Sequence, residues 1–190
     1  ELCRLEPLCG AMVQMWQPGI RGGNPLAGIL SGRINPSGRL AMTFPRSTGQ
    51  IPIYYNRRQS GRTHQGKYQD IPSTPLYEFG HGLSYTSFEY GRPKISGTEL
   101  RFSVTNSGQL AGAEVVQVYV GLPGNDRPVK ELKAFRKVFI EPGGTIDVSM
   151  KIDAEKLRQY DDGWILPRGE YNVFIGSSST DIRYSTTIKL

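Results

Sequence analysis

The residue types most able to bind a ligand are concentrated in one long polar segment, residues 49–74. Aromatic rings stack on the faces of sugars, whereas amide and guanidinium groups donate hydrogen bonds to hydroxyls. Loops longer than about 12–15 residues are usually functional or disordered. Tyr54, Asn56, Arg57, Arg58 and Arg62 are therefore candidates for the rim of a sugar site. The competing interpretation is a solvated surface loop pinned by its tyrosines and prolines.

Catalytic groups cannot be assigned from the sequence. The only histidines are His64 and His81, and the Gly-x-Ser-x-Gly elbow of serine hydrolases does not occur. The two cysteines, Cys3 and Cys9, match no zinc or redox spacing. We predict no catalytic residue, no metal ion and no cofactor for this chain.

Composition excludes two classes of partner. The chain has 23 Lys and Arg against 17 Asp and Glu, a formal net charge of +6. This excess is spread along the sequence apart from Arg57, Arg58 and Arg62, and no nucleic-acid-binding module accompanies it. No apolar run approaches the roughly 18 residues needed to cross a bilayer. We predict neither a nucleic-acid nor a membrane partner.

The first half of the chain carries few regular elements. Apolar residues between Leu8 and Trp16 predict a short helix. Asn24 followed by Pro25 predicts the start of a second helix, because Asn caps and Pro is tolerated at the first helical position. Gly32 predicts where that helix ends.

A turn at residues 35–38 predicts a strand over Leu40–Phe44. One helix and one or two strands cannot cover both faces of a parallel sheet. Residues 1–45 are therefore interpreted as the closing units of a larger α/β sandwich.

The second half has the period-two alternation of β-strands. Apolar residues alternate with polar ones around Leu100–Val104, Val116–Val120, Ile146–Ile152 and Tyr171–Ile175. Turn residues separate these runs at 106–108, 141–144 and 161–163. About seven short strands over about 100 residues are typical of an immunoglobulin-like sandwich, and the lack of a cysteine pair favours the fibronectin type III variety.

Two further features of the second half lead to predictions. Asp153 is a plausible cap for a helical interruption over Asp153–Tyr160. Trp164, beside a tight turn, is interpreted as a core or edge plug rather than a sugar platform.

Two dense motif blocks lie where these halves meet: WQPGIRGGNPLAGILSGRINPSGRLAMTFP at residues 16–45 and PLYEFGHGLSYTSFEY at residues 75–90. They combine a Pro-Gly-x-x-Gly-Gly-Asn turn, an Asn-Pro-Ser-Gly turn and a Phe-Gly-x-Gly-Leu-Ser-Tyr-Thr hinge in fixed order. Both blocks resemble the C-terminal third of glycoside hydrolase family 3, the β-glucosidase and β-xylosidase type.

This resemblance implies a mixed fold. Residues 1–84 would be a partial α/β sandwich with a long loop and hinge, and residues 85–190 an all-β, fibronectin type III-like sandwich. Family members often carry His-x-Asn-Thr-Gly-Arg-Pro where this chain has residues 57–63, RRQSGRT. That departure weakens any transfer of substrate contacts to this segment.

The resemblance also implies the function. The family's catalytic nucleophile is an Asp in an N-terminal barrel, and none of the acidic residues here has its context. The chain is expected to be a structural, non-catalytic C-terminal portion of an enzyme that hydrolyses terminal β-linked glycosyl residues. Its partners would be the barrel, the remainder of the α/β domain and a β-linked oligosaccharide; a homo-oligomeric parent is compatible with the sequence. The resemblance further implies a periplasmic or secreted enzyme, and the alternative is a stand-alone carbohydrate-binding or adhesion module.

The hinge, residues 75–90, is too apolar for a solvated linker. We predict that its large side chains are buried between the two halves, namely Leu76, Tyr77, Phe79, Leu83, Tyr85 and Phe88.

Overall fold

The computed structural model describes residues 2–58, 71–124 and 127–190. Regular structure is sparse before residue 88 and dense after it. Among its described residues, the N-terminal part (residues 2–87) contains one α-helix, α1, at Gly23–Leu30. Short 3-10 helices lie at Leu2–Arg4, Glu6–Leu8 and Thr48–Gln50.

The predicted helix over Leu8–Trp16 is wrong. Residues 9–16 are irregular, and Trp16 has a φ of 52°, outside the helical region. Val13 and Trp16 are exposed, so no apolar stripe is buried that would stabilise a helix here.

Helix α1 differs from its prediction at one end only. The residue that precedes the helix is Gly22, so Asn24 is not the cap. A side chain would not fit at Gly22, because an added Cβ would lie 2.4 Å from the Pro18 Cβ. At the other end the prediction is confirmed. Gly32 has a φ of 74° and its backbone NH donates to the Ile29 carbonyl, which ends the helix.

Residues 40–44 do not form a strand of a sheet. They run alongside the hinge, with the Leu40 NH donating to the His81 carbonyl and the Phe44 NH to the Tyr77 carbonyl, each at 2.8 Å. A single antiparallel bridge joins Phe44 and Tyr77. The apolar segment therefore pairs with a stretch some forty residues downstream in the same chain.

Two four-stranded antiparallel sheets form the sandwich. In the first sheet β3 (Glu99–Asn106) pairs along most of its length with β6 (Thr145–Lys151). Its other edge is shared by two short strands, β1 (Phe88–Tyr90) and β2 (Lys94–Ser96). The second sheet has the order β10-β9-β4-β5. Its strands are β4 (Gly112–Gly121), β5 (Glu131–Ile140), β9 (Glu170–Gly176) and β10 (Ile182–Lys189).

The core lies between these sheets and follows the predicted alternation. Leu100 and Val104 of β3 are fully buried, as are Val116 and Val118 of β4 and Ile175 of β9. The predicted mixed fold is confirmed: a sparse N-terminal part is followed by an immunoglobulin-like sandwich.

The predicted turns and cap of the sandwich are confirmed. The turns at 106–108, 141–144 and 161–163 lie at strand ends or between strands. The Asp153 carboxylate accepts a 3.0 Å hydrogen bond from the Glu155 NH at the start of a 3-10 helix, Ala154–Leu157. This helix is shorter than predicted because the chain re-enters a strand at Gln159.

A small hairpin stands apart from both sheets. It consists of β7 (Gln159–Tyr160) and β8 (Trp164–Ile165), joined by the turn at 161–163. Trp164 is 68% exposed, so its interpretation as a core plug is wrong. None of the described helices is long and apolar enough to cross a membrane.

Candidate functional site

Tyr55 anchors the first part of the predicted rim to the sandwich. Its ring stacks on Phe79 with centroids 4.2 Å apart and meets the Tyr119 ring edge-on at 5.8 Å. Its hydroxyl accepts a 3.1 Å hydrogen bond from the Leu132 NH, and burial raises the pKa of Tyr55 above its ordinary value. Tyr55 is thus a packing residue that fixes where its neighbours lie.

The neighbouring rim candidates face outward. Tyr54 is 63% exposed, Arg57 and Arg58 are exposed, and Asn56 is half-buried. Arg58 forms a backbone bridge with Pro128 in the connection between β4 and β5. Arg62 lies outside the described residues. The structure therefore places four of the five candidates in one anchored strip, and a role for them in binding stays a prediction.

Acidic residues that sequence reasoning did not single out contribute to the contact between the N-terminal part and the sandwich. Glu114 of β4 is 2% exposed. Its carboxylate accepts a 2.5 Å hydrogen bond from the Arg39 Nη2 and a 2.8 Å hydrogen bond from the Tyr90 hydroxyl. Arg39 also donates from Nη1 to the Gly82 carbonyl of the hinge. A buried carboxylate and a nearly buried guanidinium thus neutralise each other across this contact.

Tyr90 belongs to the same cluster and stays protonated. Burial, followed by the charge and hydrogen bond of Glu114, raises the pKa of the Tyr90 phenol well above its ordinary value. The phenol is therefore a permanent donor to Glu114.

Gln117 ties the hinge to the outer face of β4. Its amide donates to the Gly80 carbonyl at 3.2 Å and to the Ser177 carbonyl, while the Tyr119 hydroxyl donates to its oxygen at 2.5 Å. Gly80 has a φ of 82°, and an added Cβ would lie 2.2 Å from the Gln117 Oε1. Only glycine fits this contact, which explains one glycine of the hinge motif.

Glu78 holds the loop between β9 and β10. Its carboxylate accepts hydrogen bonds from the hydroxyls of Ser178, at 3.0 Å, and Thr180, at 2.7 Å. The Ser179 NH donates to the neighbouring Phe79 carbonyl at 3.0 Å. Partial burial acts to raise the pKa of Glu78, but these hydroxyls, its own backbone NH and nearby His81 outweigh burial and lower it.

Asn35 makes a fourth connection. Its amide donates to the Ala111 carbonyl just before β4, and its oxygen accepts from the Tyr85 NH at 2.8 Å and the Ser84 hydroxyl at 3.0 Å. We call the contact formed by Arg39–Glu114, Gln117–Gly80, Glu78–Ser178 and Asn35–Ala111 the seam.

The hinge only partly matches its prediction. Leu76, Tyr77, Phe79 and Phe88 are half-buried rather than fully buried. For Leu83 and Tyr85 the prediction is wrong, because both side chains are exposed. The hinge is held to the sandwich chiefly by polar contacts, so its apolar residues need not all face inward.

The seam joins the N-terminal part to the sandwich through polar contacts. Among the described residues, no group of three His, Cys, Asp or Glu side chains could hold a metal ion. The acids Glu114 and Glu78 are both engaged by donors within the seam. Sequence reasoning missed these two acids because Arg39 lies 75 positions from Glu114, and Thr180 lies 102 positions from Glu78.

Several large apolar side chains of the N-terminal part are exposed. The large exposed ones include Leu5, Leu8, Val13, Trp16, Ile20, Leu30 and Ile51.

Comparison with known protein families gives two matches. The glycosyl hydrolase family 3 C-terminal domain matches residues 2–85, and the fibronectin type III-like domain matches residues 114–179.

The relatives and solved structures agree with each other. The chain is 37% identical to a periplasmic beta-glucosidase of Salmonella typhimurium, over 96% of the chain and 26% of that protein. It is 36% identical to a beta-xylosidase of Formosa agariphila, over 89% of the chain and 25% of that protein. A beta-glucosidase from Listeria innocua, solved in complex with glucose, superposes with a TM-score of 0.92 at 35% identity, over all of the chain and 29% of that structure. The chain thus spans about a quarter of the length of the curated relatives it matches.

Removing the Glu114 carboxylate should strongly destabilise the protein. In Glu114→Ala the Arg39 guanidinium would remain nearly buried without its counter-ion, a change that typically costs about 3–5 kcal/mol. Urea unfolding measures the loss. The matched control is Glu99→Ala, which breaks an exposed ion pair with Arg101 and should cost about 0–1 kcal/mol. Equal losses in the two variants would show that the Arg39–Glu114 pair does not hold the seam.

The contribution of Glu78 should depend on pH. The pKa of Glu78 is lower in the folded state than its ordinary value of 4.5, so the stabilisation is complete above that value and disappears as the pH falls through the folded pKa. Melting temperatures of the wild type and Glu78→Gln should therefore differ at pH 7 and converge on acidification. Glu155→Gln, which changes an exposed acid, is the control and should differ little from the wild type at any pH. A difference for Glu78→Gln that grows towards low pH would contradict this account.

Proposed function

We propose that this chain, which belongs to the C-terminal part of glycosyl hydrolase family 3, serves an enzyme that removes terminal β-linked glycosyl residues. The observation that carries the proposal is the match of the whole chain to one continuous part of β-glucosidases, at a TM-score of 0.92 and 35% identity. Its named relatives are β-glucosidases and β-xylosidases.

In this proposal the chain itself is structural. Hydrolysis with retention needs two carboxylates about 5–5.5 Å apart, one of them free to attack the sugar. Glu114 and Glu78 are committed to the seam, and the nucleophile would come from a barrel domain of the same polypeptide. The exposed apolar residues of the N-terminal part would contact the remainder of the α/β domain.

The sandwich would act as a brace. The N-terminal part, proposed as the end of the α/β domain at residues 1–84, is tied by the seam to the fibronectin type III-like domain proposed at residues 85–190. Each hydrogen bond of the seam joins a residue between positions 35 and 85 to the sandwich. The sandwich partner lies in β4, in the loop before β4 or in the β9–β10 loop. A brace of this kind fixes the orientation of loops that approach a substrate.

Within that frame we propose the strip from Tyr54 to Arg58 as part of the substrate rim, and we keep Arg62 as a candidate on the sequence alone. Support comes from the exposure of Tyr54 beside the anchored Tyr55. The free ring can stack on a sugar while its neighbour holds the backbone in place.

We also propose export of the enzyme to the periplasm or the exterior, since one relative is named as periplasmic. The alternative, a stand-alone carbohydrate-binding module, would require the chain to bind glycans without any hydrolytic partner domain.

Glycoside hydrolysis should be found in the full-length polypeptide and not in this chain alone. The full-length gene product should hydrolyse an aryl β-glucoside or β-xyloside, and the 190-residue chain should not, because no nucleophile is available for the covalent step. Release of the aryl group is followed with both purified proteins. Turnover by the chain that disappears on changing one of its acidic residues, or a full-length product inactive on both glycosides, would refute the proposal.

The rim should affect oligosaccharide binding rather than chemistry. In the full-length enzyme, Tyr54→Ala should raise KM for a β-linked oligosaccharide several-fold with little change in kcat, because uniform binding is lost. Tyr54→Phe keeps the ring and should behave as the wild type. If KM is unchanged in both Tyr54→Ala and Arg57→Ala, the strip does not bind substrate and the proposed rim is wrong.

A further inference from the structure

The β7–β8 hairpin presents an aromatic corner to solvent. Tyr160 and Trp164 are directly opposite each other in its register. They are 67% and 68% exposed. Their ring centroids are 5.9 Å apart and their planes meet at 78°, so the two rings are nearly perpendicular. A single exposed aromatic ring is ordinary, but two exposed rings in contact form an apolar patch of the kind that ligand sites use.

The turn that joins the two strands adds polar groups beside the rings. Asp161 and Asp162 are both exposed, and Asp162 has a φ of 52° within a turn closed by the bond from the Asp161 NH to the Gly163 carbonyl. Within the described part of the chain neither carboxylate is in an ion pair. Both are therefore available as hydrogen-bond acceptors at the edge of the aromatic corner.

We propose that Tyr160 and Trp164 form a second, non-catalytic carbohydrate-binding site, which takes one pyranosyl unit of a β-linked glycan. One face of such a ring carries C–H groups, which match the electron-rich face of an aromatic side chain. Its rim carries hydroxyls, which donate to carboxylates such as Asp161 and Asp162. A right-angled aromatic pair contacts both the face and the edge of a single sugar ring.

A protein partner fits this surface less well. Aromatic side chains bury about 150–250 Å² each, so two rings and the adjoining Ile165 offer a few hundred Å². Stable protein interfaces bury about 800 Å² per partner. A dry interface would also trap two carboxylates without cations, which is costly.

The hairpin lies at the end of the sandwich that carries the rim strip, away from the Arg39–Glu114 pair of the seam. β9 follows the hairpin, and Asn172 near its start lies opposite Gly121 at the end of β4. The Tyr55 contact with Leu132 and the Arg58 bridge to Pro128 lie at this same end, where β5 begins. Arg39 binds Glu114 near the opposite end of β4. A glycan on the hairpin would thus be held at the end of the sandwich that carries the rim strip.

Affinity electrophoresis of the 190-residue chain tests the site without any hydrolysis. Native gels contain a soluble β-1,3-glucan, a soluble β-1,4-xylan or the α-linked glucan dextran. We expect retardation by at least one β-linked polymer and none by dextran; the choice of β-linked probes rests on the proposed function. Trp164→Ala should weaken retardation at least tenfold, and Tyr160→Ala should weaken it less.

The control is Phe135→Ala, which removes an aromatic ring of the same exposure, 67%, from β5 of the sandwich. It should retain full retardation. Because all three side chains are exposed, the variants should melt close to the wild type. The chain has two tryptophans, so a Trp16→Phe variant leaves Trp164 as the one tryptophan that fluoresces. Its fluorescence should shift when the glycan that retards the protein in the gel is added.

Absence of retardation by either β-linked polymer, or equal retardation of the wild type and Trp164→Ala, would overturn the proposal. Equal retardation by dextran would overturn the selectivity for β-linked chains. None of these outcomes bears on hydrolysis by the full-length enzyme, so the failure of this site and the failure of the proposed function are distinguishable.

Discussion

The structure depends on one buried ion pair, that between Arg39 and Glu114. Glu114 is almost completely buried at the start of the central strand of the second sheet, where an unpaired carboxylate would be strongly unfavourable. Its counter-ion is supplied by the N-terminal part rather than by another strand of the sandwich. Tyr90 of the sandwich donates one hydrogen bond to this carboxylate, but its charge is neutralised by Arg39 only when the N-terminal part is docked. This requirement makes the relative position of the two parts specific, which apolar contact alone would not.

The rest of the seam follows from that placement. Once Arg39 is inserted and bonded to the Gly82 carbonyl, the hinge runs directly over the outer face of β4. The backbone of Gly80 then approaches the Gln117 amide so closely that no side chain could be accommodated. Glu78 reaches the β9–β10 loop and orders it through two hydroxyls. The hinge motif is thus dense in glycine and polar residues because it is a docking segment, and its glycines provide close approach.

The same contacts order the segment that precedes the sandwich. The polar seam holds the end of the α/β layer, and the Tyr55 stack holds the strip that carries Tyr54. Several large apolar side chains of the N-terminal part stay exposed. The aromatic hairpin lies outside both sheets, at the end of the sandwich nearest this strip.

The sequence by itself determined the sandwich. Alternation of apolar residues in β3, β4 and β6 reflects a two-layer fold, because each strand must bury one face, and local chemistry placed the turns, the Asp153 cap and the end of α1 at Gly32. The two motif blocks indicated the family. Local pattern failed at residues 40–44 because a long-range contact decided the outcome there: they pair with the hinge. Two other misses have different causes. Gly22, close to Pro18, precedes the helix in place of Asn24, and Trp164 lies in a hairpin outside both sheets. The Arg39–Glu114 pair joins residues 75 positions apart, and no short-range rule links an arginine after a turn to a glutamate in a strand. Only the tertiary structure could reveal the seam. Its polar groups stabilise the fold because they are buried next to each other, although they lie far apart in the sequence.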